Sequence, residues 1–375
     1  MRYVERMLAT QKYLNSNSLE NLTEQFGIKV KIYDDFIGLN YDQIKSPKSH
    51  PITMECRSLK LIRGSWMIAS RAFDRFFNYG ECPNEYAKFN FDHAIITEKV
   101  DGSIIPIWYN TIDKRWEISS KSAIFGESFL SPNKTYRETV LETFSFSEDE
   151  FQQFFDKNSD TNFTYIFEYI GPDNFIVTPY KDKQMVLLGI RHNFKNNEYC
   201  SLDEMESFVS ILPGNVRMFK TYKLSSFENI IASMKELKGL EEGYVCIDTK
   251  HNLRVKIKSP QYVAMHHMRG ENNVTKEGLI NVVISGEIDE LVTYFPHLKD
   301  KLESIQQTVN EFLETMKNVY NEIHHLELQK DFAKEAMKHK FSGLLFAARK
   351  NKTSIEHEFD LASNDYKVRL LLNIL

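Results

Sequence analysis

Three residues in the stretch EKVDGS, namely Lys99, Asp101 and Gly102, have the types and spacing for nucleophilic chemistry at a phosphate. Apolar runs at residues 95–97 and 104–109 flank the stretch, so Lys99 should lie where one strand ends and the next is about to begin. A glycine at such a turn lets the backbone approach a phosphate with no side chain in the way. The three residues alone are a weak pattern, because a chain of this length can contain it by chance.

A pair of lysines, Lys256 and Lys258, occurs in the run LRVKIK, which follows Glu242 in the run EEGYV. Side chains alternate along a strand, so the two lysines should share one face while Val255 and Ile257 share the other. Two ammonium groups side by side repel each other unless an anion lies near both, which favours a phosphate site. An edge strand whose lysines prevent aggregation would show the same pattern.

A single carboxylate, Glu168, lies within the aromatic run NFTYIFEYI. On its own face of a strand it alternates with Ile166 and Ile170. It should therefore be half buried or point into a cavity, where it could bind a pair of hydroxyl groups. An exposed carboxylate on an edge strand is the alternative.

Arginines next to aromatic residues occur upstream, in the runs MECR and IASRAFDRFFN. Arg57 ends the first run, and Arg75 precedes Phe77 in the second. Guanidinium groups near aromatic rings suit planar or anionic ligands. Surface salt bridges to Glu55 and Asp74 would explain the arginines equally well.

The composition limits the kind of protein that can hold these residues. A chain of 375 residues is too long for one core of ordinary size, and 42% hydrophobic with 26% charged residues is typical of a soluble globular protein. The formal net charge of −5 argues against a protein that coats nucleic acid nonspecifically. Any nucleic-acid site should therefore be local.

The cysteines and the first residues bear on location. The four cysteines lack the paired spacing of a zinc site or disulfide scaffold, which predicts a reducing cytoplasm, that of the host cell if the chain is viral. Residues 1–14 mix charged and apolar types, and no stretch is long and apolar enough for a membrane span. We expect no membrane partner, and the sequence carries no signal for a particular oligomeric state.

Two patterns of periodicity divide the chain. Short β-branched and aromatic runs occur at residues 28–33, 95–97, 104–109, 165–170 and 185–190, with helical patterns at 138–144 and 226–237. They predict an α+β fold of twisted, mainly antiparallel sheets with inserted helices. After about residue 262, apolar residues recur three or four apart at 288–295, 301–323 and 331–349, which predicts helices. We therefore expect an α+β domain at residues 1–265 and an all-α domain at residues 266–375.

A basic stretch at residues 334–352 lies in this helical part. It contains Lys334, Lys338, His339, Lys340, Arg349, Lys350 and Lys352. A solvated helix face and an RNA-contacting patch both fit this composition.

Taken in order, the four motifs resemble those of the covalent nucleotidyltransferases, the superfamily of polynucleotide ligases and mRNA capping enzymes. The upstream ECR and ASRAFDRFFN elements are most similar to those of the RNA ligase 1 family, the phage-type tRNA-repair ligases. The resemblance runs from about residue 51 to 262, and the C-terminal helices resemble that family's extra domain more loosely. It implies ATP as the donor of AMP, Mg²⁺ or Mn²⁺ as the metal, and RNA with 5′-phosphate and 3′-hydroxyl ends as the partner, including nicked tRNA.

The resemblance also implies a role for each matched position. Lys99 would accept the nucleotide, Glu168 would bind the ribose, and Glu242, with Asp101 beside it, would hold the metal. Tyr262 matches a tyrosine just beyond the lysine pair. The remaining nucleotide-binding positions would be Arg57, Arg75, Phe77, Gly102, Lys121, Glu242, Val245, Lys256 and Lys258.

The chain departs from the family at four positions. The family usually has lysine at Arg75, glycine at Ser58 and Ser122, and proline at Ala72. Arginine keeps the charge and can bind a phosphate through two nitrogens, so only the local geometry should differ.

The implied mechanism has three steps: Lys99 takes AMP from ATP, AMP passes to an RNA 5′-phosphate, and a 3′-hydroxyl displaces AMP. A capping guanylyltransferase or a DNA ligase is the alternative among enzymes, but both would normally continue with an oligonucleotide-binding barrel, where helices are predicted here. A catalytically inactive RNA-binding relative is the alternative outside enzymes.

Overall fold

The computed structural model describes residues 7–131, 133–174, 176–195, 199–234, 241–263 and 275–374. The chain forms two compact units, Met1–Tyr262 and Val263–Leu375. The predicted boundary between residues 265 and 266 lies outside the described residues. No helix within the described ranges is long and apolar enough to cross a membrane.

The first unit begins with a four-stranded antiparallel sheet of order β1-β2-β3-β4. Leu59 and Leu61 of β3 face a core that also receives Leu22 from a preceding helix. The register of β2 and β3 shifts after Leu59, so Ser58 has no partner and forms a bulge. The elements are α1 Ala9–Leu14, α2 Leu19–Phe26, β1 Ile28–Ile32, β2 Phe36–Tyr41, α3 Pro51–Glu55, β3 Arg57–Ile62 and β4 Ile68–Arg71.

Two five-stranded sheets complete the framework of this unit. Their orders are β13-β12-β11-β7-β8 and β14-β6-β15-β16-β5. All pairs in them are antiparallel except β12 with β13 and β16 with β5. The strands are β5 Phe77–Asn78, β6 Ala94–Glu98, β7 Ser103–Asn110, β8 Arg115–Ile118, β11 Phe163–Ile170, β12 Gln184–His192, β13 Val216–Met218, β14 Thr221–Tyr222, β15 Gly243–Asp248 and β16 Leu253–Lys258; a small hairpin pairs β9 Phe129–Ser131 with β10 Lys134–Thr135.

Helices inserted between these strands begin at side-chain caps. At three helix starts, the side chain of the cap residue accepts a hydrogen bond from the backbone N–H of a glutamate three positions on. The carboxylate of that glutamate accepts a hydrogen bond from the backbone N–H of the cap residue, which is Thr135, Ser147 or Ser201. This reciprocal arrangement satisfies backbone donors that a helix start otherwise leaves free. The helices are α4 Tyr136–Phe144, α5 Glu148–Asn158, α6 Leu202–Ile211 and α7 Phe227–Ser233, with 3-10 turns at Pro83–Tyr86 and Phe91–His93. The end of the predicted helix at 226–237 lies outside the described residues.

The second unit is helical throughout the part that the structure describes. Its core joins residues from every helix, among them Leu302, Met316, Phe332 and Leu345. The helices are α8 Lys276–Ser285, α9 Ile288–Tyr294, α10 Lys299–Ile323, α11 Gln329–Ala336, α12 Ser342–Asn351, α13 Ile355–Leu361 and α14 Asn364–Leu372, with a 3-10 turn at Pro296–Leu298. The predicted fold class, antiparallel sheets followed by helices, is confirmed.

The single helix predicted at 331–349 is wrong. The chain leaves the helix after Ala336 and resumes it at Ser342, so that Phe341 packs edge-on against Phe312 in the core at 5.6 Å. No glycine or proline marks this break, and the apolar spacing therefore continued through it.

Candidate active site

Lys99 is fixed directly after β6 by the neighbouring strand β15. Its backbone N–H donates to the carbonyl of Gly243 at 2.8 Å, and its Nζ lies 2.5 Å from Oε1 of Glu242. Gly243 has a φ of +136°, and a Cβ there would lie 2.2 Å from the carbonyl oxygen of Ile257. Only glycine fits this position. The Glu-Gly pair therefore places Glu242 opposite the lysine.

The lysine pair of β16 occupies one face, as predicted. Val255 and Ile257 are buried on the opposite face, and Nζ of Lys258 is 3.8 Å from Oε1 of Glu242. β16 lies between β15 and β5, and it is therefore not an edge strand. The aggregation-guard alternative for Lys256 and Lys258 is wrong.

Glu168 points into the same region from the other five-stranded sheet. Its strand, β11, is central, which excludes the alternative of an exposed edge carboxylate. Burial raises the pKa of Glu168 to about 7; Lys99 opposes this rise, and the nearby charge of Glu242 adds to it. Near neutral pH this carboxyl is partly protonated and can both donate and accept a hydrogen bond.

A pocket of about 180 Å³ opens between these strands. Thr97, Val245 and several aromatic and aliphatic residues form its apolar part. Its two carboxylates are Glu168 and Glu98, and the latter is already bound by Arg217 and by the N–H of Lys220. Five cations also line it, so it is positively charged and suits a polyphosphate: Arg57, Lys99, Arg254, Lys256 and Lys258.

An adjoining pocket shares Arg57 and Glu168 with the first. Lys121 lines it, together with Gly102. A Cβ at Gly102 would lie 2.2 Å from the carbonyl oxygen of Tyr169, so this glycine is required by the packing of two strands. The reason differs from the one that the sequence suggested, which was a close approach to phosphate.

Asp101 is a buried anchor of the loop after Lys99. Its Oδ2 accepts from the N–H groups of Val177 and Thr178 at 3.0 and 2.8 Å, and its Oδ1 accepts from the hydroxyl of Tyr262 at 2.7 Å. Three donors use most of the carboxylate's capacity. Its role as a metal ligand stays a prediction, and a metal would have to share these oxygens.

Glu242 fits a metal better. Its Oε2 is buried and has no hydrogen-bond partner within the described ranges, and burial raises the pKa of this carboxyl. An unpaired buried carboxylate oxygen suits a hard cation such as Mg²⁺ or Mn²⁺ held partly through water. Among the described residues, no three His, Cys, Asp or Glu side chains are grouped as a metal cage.

Arg75 and Phe77 are not in the lining of the pocket that contains Lys99, and their nucleotide-binding roles stay predictions. Arg75 is 3% exposed and is held between the rings of Tyr41 and Phe77, at 4.1 and 5.2 Å. Its terminal nitrogens make no hydrogen bond within the described part of the chain. Both residues line a neighbouring pocket, which shares Arg254 with the first.

The predicted alternative of salt bridges is confirmed for Arg71, an arginine of the second run. Asp74 binds Arg71 and also Arg191, each at 2.9 Å. Glu55 accepts hydrogen bonds from the backbone of Ala9 and from the N–H and hydroxyl of Thr10.

Arg254 is the pocket residue that motif reasoning missed. Its guanidinium stacks over Phe73 and Tyr199 at 5.0 and 4.3 Å. Burial lowers the pKa of this group, and the charge of Arg191 lowers it further. Side chains alternate along β16, so Arg254 shares the face of Lys256. This placement could have been predicted from the sequence.

Comparisons with known proteins indicate the family of the chain. A profile for a family described as RNA ligase matches residues 55–262, more than half of the chain. A protein of Autographa californica nuclear polyhedrosis virus, provisionally named a bifunctional polynucleotide kinase/RNA ligase, is 29% identical over 98% of this chain and 54% of its own length. The chain thus spans about half of that viral protein.

Two further likenesses are more distant. The RNA ligase of Rhodothermus phage RM378 is 25% identical, covering 78% of this chain and 80% of its own. The structure of a protein from Aquifex aeolicus, provisionally named an ATP-dependent DNA ligase, is 15% identical with a TM-score of 0.46, over 80% of each chain.

Proposed function

The chain belongs to the RNA ligase family, and on that premise we propose that it joins RNA 5′-phosphate and 3′-hydroxyl ends by carrying AMP on Lys99. The observation that carries the proposal is the contact of Lys99 with Glu242 beside a pocket lined by four further cations. A nucleophile with an acidic partner and a cationic phosphate site is the arrangement that covalent nucleotidyl transfer needs.

In the first step the neutral amine of Lys99 attacks the α-phosphorus of ATP. The N–P bond forms, the bond to the bridging oxygen breaks, and pyrophosphate leaves with the electron pair. Glu242, whose Oε1 is in contact with Nζ, is placed to take the lysine proton. Lys256 and Lys258 offset the charge that develops on the phosphate oxygens.

In the second step an oxygen of the RNA 5′-phosphate attacks the same phosphorus, and Lys99 leaves and regains its proton. The 3′-hydroxyl then attacks the RNA phosphorus, loses its proton and expels AMP. Glu168 supports these steps by holding the ribose hydroxyls of the nucleotide. When bound, Mg²⁺ or Mn²⁺ would supply positive charge near the phosphates, with Glu242 as the residue best suited to hold it.

The biological setting that we propose is RNA repair, including the sealing of nicked tRNA. The helical unit of residues 266–375 would then choose the RNA, and the 1–265 part would perform adenylyl transfer. The exposed lysines at 334, 338, 340, 350 and 352 support a phosphate-contacting role for the helical unit.

The alternative of a capping guanylyltransferase differs in the nucleotide, GTP instead of ATP. The alternative of a DNA ligase differs in the polymer, DNA instead of RNA. A catalytically inactive RNA-binding relative would bind ATP without a covalent product. The charged residues at the pocket make the inactive form the poorer explanation, because binding alone does not need a lysine against a buried glutamate.

One experiment separates these possibilities. The protein is incubated with ATP or GTP radiolabelled on the α-phosphate, denatured, and examined for bound label. We expect label from ATP only, lost in both Lys99→Ala and Lys99→Arg, since arginine stays protonated and cannot attack. Lys88→Ala, at an exposed lysine outside the pocket, is the control and should keep the label. Label that survives in Lys99→Ala would contradict the proposal.

A further inference from the structure

A lysine is fully buried close to the adjoining pocket, in β3. Lys60 is 1% exposed, between Leu59 and Leu61, which face the apolar core on the other side of the strand. No carboxylate within the described part of the chain forms an ion pair with it, and burial alone lowers the pKa of its amine to about 7. Buried lysines without an acidic partner are costly, so a packing role does not explain its presence.

The amine of Lys60 donates two hydrogen bonds. Its Nζ is 3.1 Å from Oγ of Ser58 and 3.4 Å from the carbonyl oxygen of Ser120. A neutral amine has two N–H donors, and these two acceptors use both. An ammonium would leave a third donor unpaired in a buried place. The site therefore fits the neutral form.

The two acceptors are each next in sequence to a pocket cation. Ser58 directly follows Arg57, and Ser120 directly precedes Lys121. Arg57 and Lys121 line the same pocket from different segments of the chain. Lys60 therefore bridges the two segments one residue away from each cation, alongside a longer 3.5 Å bond from the Ser58 hydroxyl to the Ser120 carbonyl.

Both segments have conformations that need such a support. Ser58 forms the bulge between β2 and β3, with a φ of +59°, a region that a residue other than glycine rarely adopts. Its N–H donates to Oδ1 of Asn40 at 2.9 Å, which also holds the bulge. Ser120 closes a tight turn with Ala123 through two hydrogen bonds: the N–H of Ser120 donates to the carbonyl of Ala123, and the N–H of Ala123 donates to the hydroxyl oxygen of Ser120. The carbonyl that Lys60 binds belongs to the peptide group leading into Lys121.

We propose that Lys60 is a positioning residue that ties the Arg57 bulge to the Lys121 turn and so fixes the spacing of two phosphate-binding cations. The ligand group is a phosphate, from the tail of ATP or from the RNA 5′ end. This rests on the proposed function of the pocket. It also gives Ser58 a purpose, since its hydroxyl accepts a bond that glycine could not.

The test replaces Lys60 by methionine, which has a similar shape and removes both hydrogen bonds. Adduct formation is measured against ATP concentration, and RNA sealing by pre-adenylylated enzyme is measured against the concentration of 5′-phosphorylated RNA. We expect the half-saturating concentration of at least one substrate to rise about tenfold, with the saturating rate within about twofold of wild type. A rise for ATP alone identifies the nucleotide as the source of the phosphate, and a rise for RNA alone identifies the RNA end.

A double-mutant comparison distinguishes positioning from general damage. If Lys60 acts through Lys121, adding Lys60→Met to Lys121→Ala should change the half-saturating concentration little further. Leu61→Met, on the same strand but facing the core, should leave both half-saturating concentrations as in wild type. Ser58→Ala should show a smaller rise in the same direction and serves in place of Lys60→Met if that variant does not fold.

The inference is overturned if Lys60→Met binds both substrates as wild type does, or if its effect adds fully to that of Lys121→Ala. Wild-type protein that takes no label from ATP would instead overturn the proposed function, so the two failures are distinct.

Discussion

The hydroxyl of Tyr262 donates a 2.7 Å hydrogen bond to Oδ1 of Asp101, a residue 161 positions earlier in the chain. The bond fastens the loop that follows Lys99 to the segment that follows the lysine pair. Tyr262→Phe should leave a buried carboxylate oxygen short of a donor, which costs about 1 to 3 kcal/mol. We expect slower adduct formation and a lower melting temperature. Tyr180→Phe is the control. It removes the hydroxyl that accepts a longer, 3.3 Å hydrogen bond from the N–H of Asp101, so it should change adduct formation and melting temperature less.

The three cations of β16 should differ in their contribution to adduct formation. Lys256→Ala and Lys258→Ala should each lower the rate tenfold to thousandfold, because a charge contact in such a site is worth roughly 2 to 4 kcal/mol in the transition state. Arg254→Ala should do less, since its guanidinium is stacked on Phe73 and Tyr199. If Arg254→Ala proved the most damaging of the three, Arg254 would be the principal phosphate ligand.

In the absence of nucleotide, the stability of the folded protein should decrease as pH rises, because of Glu168. The pKa of this carboxyl is raised to about 7 in the folded protein, so folding retains a proton that the unfolded chain releases above its ordinary pKa. The stability that the protonated carboxyl of Glu168 contributes is fully present below the ordinary pKa of glutamate and is lost as pH rises towards 7. Glu168→Gln stays neutral and should not show this loss. At pH 8 it should be more stable than wild type by roughly 1 to 3 kcal/mol and should have the higher melting temperature.

The measurement is thermal unfolding of both proteins at pH 5.5 and pH 8. A difference between wild type and Glu168→Gln that is the same at both pH values would show that the carboxyl titrates normally. Adduct formation by Glu168→Gln should be impaired at either pH, because the ribose contact is altered.

Gly102→Ala should be tolerated poorly. The added Cβ would meet the carbonyl oxygen of Tyr169 at 2.2 Å, so two strands must separate, at a cost of about 1 to 3 kcal/mol or more. Gly343→Ala, in helix α12, is the matched control, because the nearest atom to its Cβ is the hydroxyl of Tyr366 at 3.7 Å. Alanine there should stabilise the helix by about 0.5 to 1 kcal/mol. Equal melting temperatures for the two variants would contradict the packing argument.

Charge reversal in the helical unit should affect RNA and leave ATP unaffected. Lys338→Glu, Lys340→Glu and Lys350→Glu together should weaken RNA binding and flatten its salt dependence, since each lost phosphate contact lowers the slope. The preference for a nicked anticodon stem-loop over simple single-stranded ends should also fall. Adduct formation from ATP is the internal control and should be unchanged. An unchanged ratio of sealing rates on the two RNAs would show that these lysines do not choose the substrate.

The centre of the site could be predicted from the sequence because alternation and glycine chemistry act locally. Lys99 at a strand end and Lys256 with Lys258 on one face follow from neighbours within a few residues. That Glu242 meets Lys99 does not follow from spacing, and the family resemblance gave Glu242 only as a metal-holding and nucleotide-binding residue. The contact depends on Gly243 in β15, a strand whose pairing with β6 no local pattern specifies.

The surroundings of some charged residues are set by packing over long distances. The rings of Tyr41 and Phe77 hold the guanidinium of Arg75 beside a neighbouring pocket, and its nucleotide-binding role stays a prediction. The sequence does not show that Lys60, in the middle of a strand, is covered by the turn at Ser120. In both cases the sequence shows a charge and its strand but not the segment that packs over it.

The sheet that carries Lys99 is assembled from parts of the chain that are made at different times. β6 is bordered by β14 and β15, and the hydroxyl of Thr97 bonds to the carbonyl of Val245 across 148 positions. During synthesis at roughly 5 to 20 residues per second, β6 leaves the ribosome many seconds before either neighbour exists. A nascent chain therefore holds Lys99 without a pocket, and the proposed transfer of AMP from ATP requires that the last strand of the sheet has emerged.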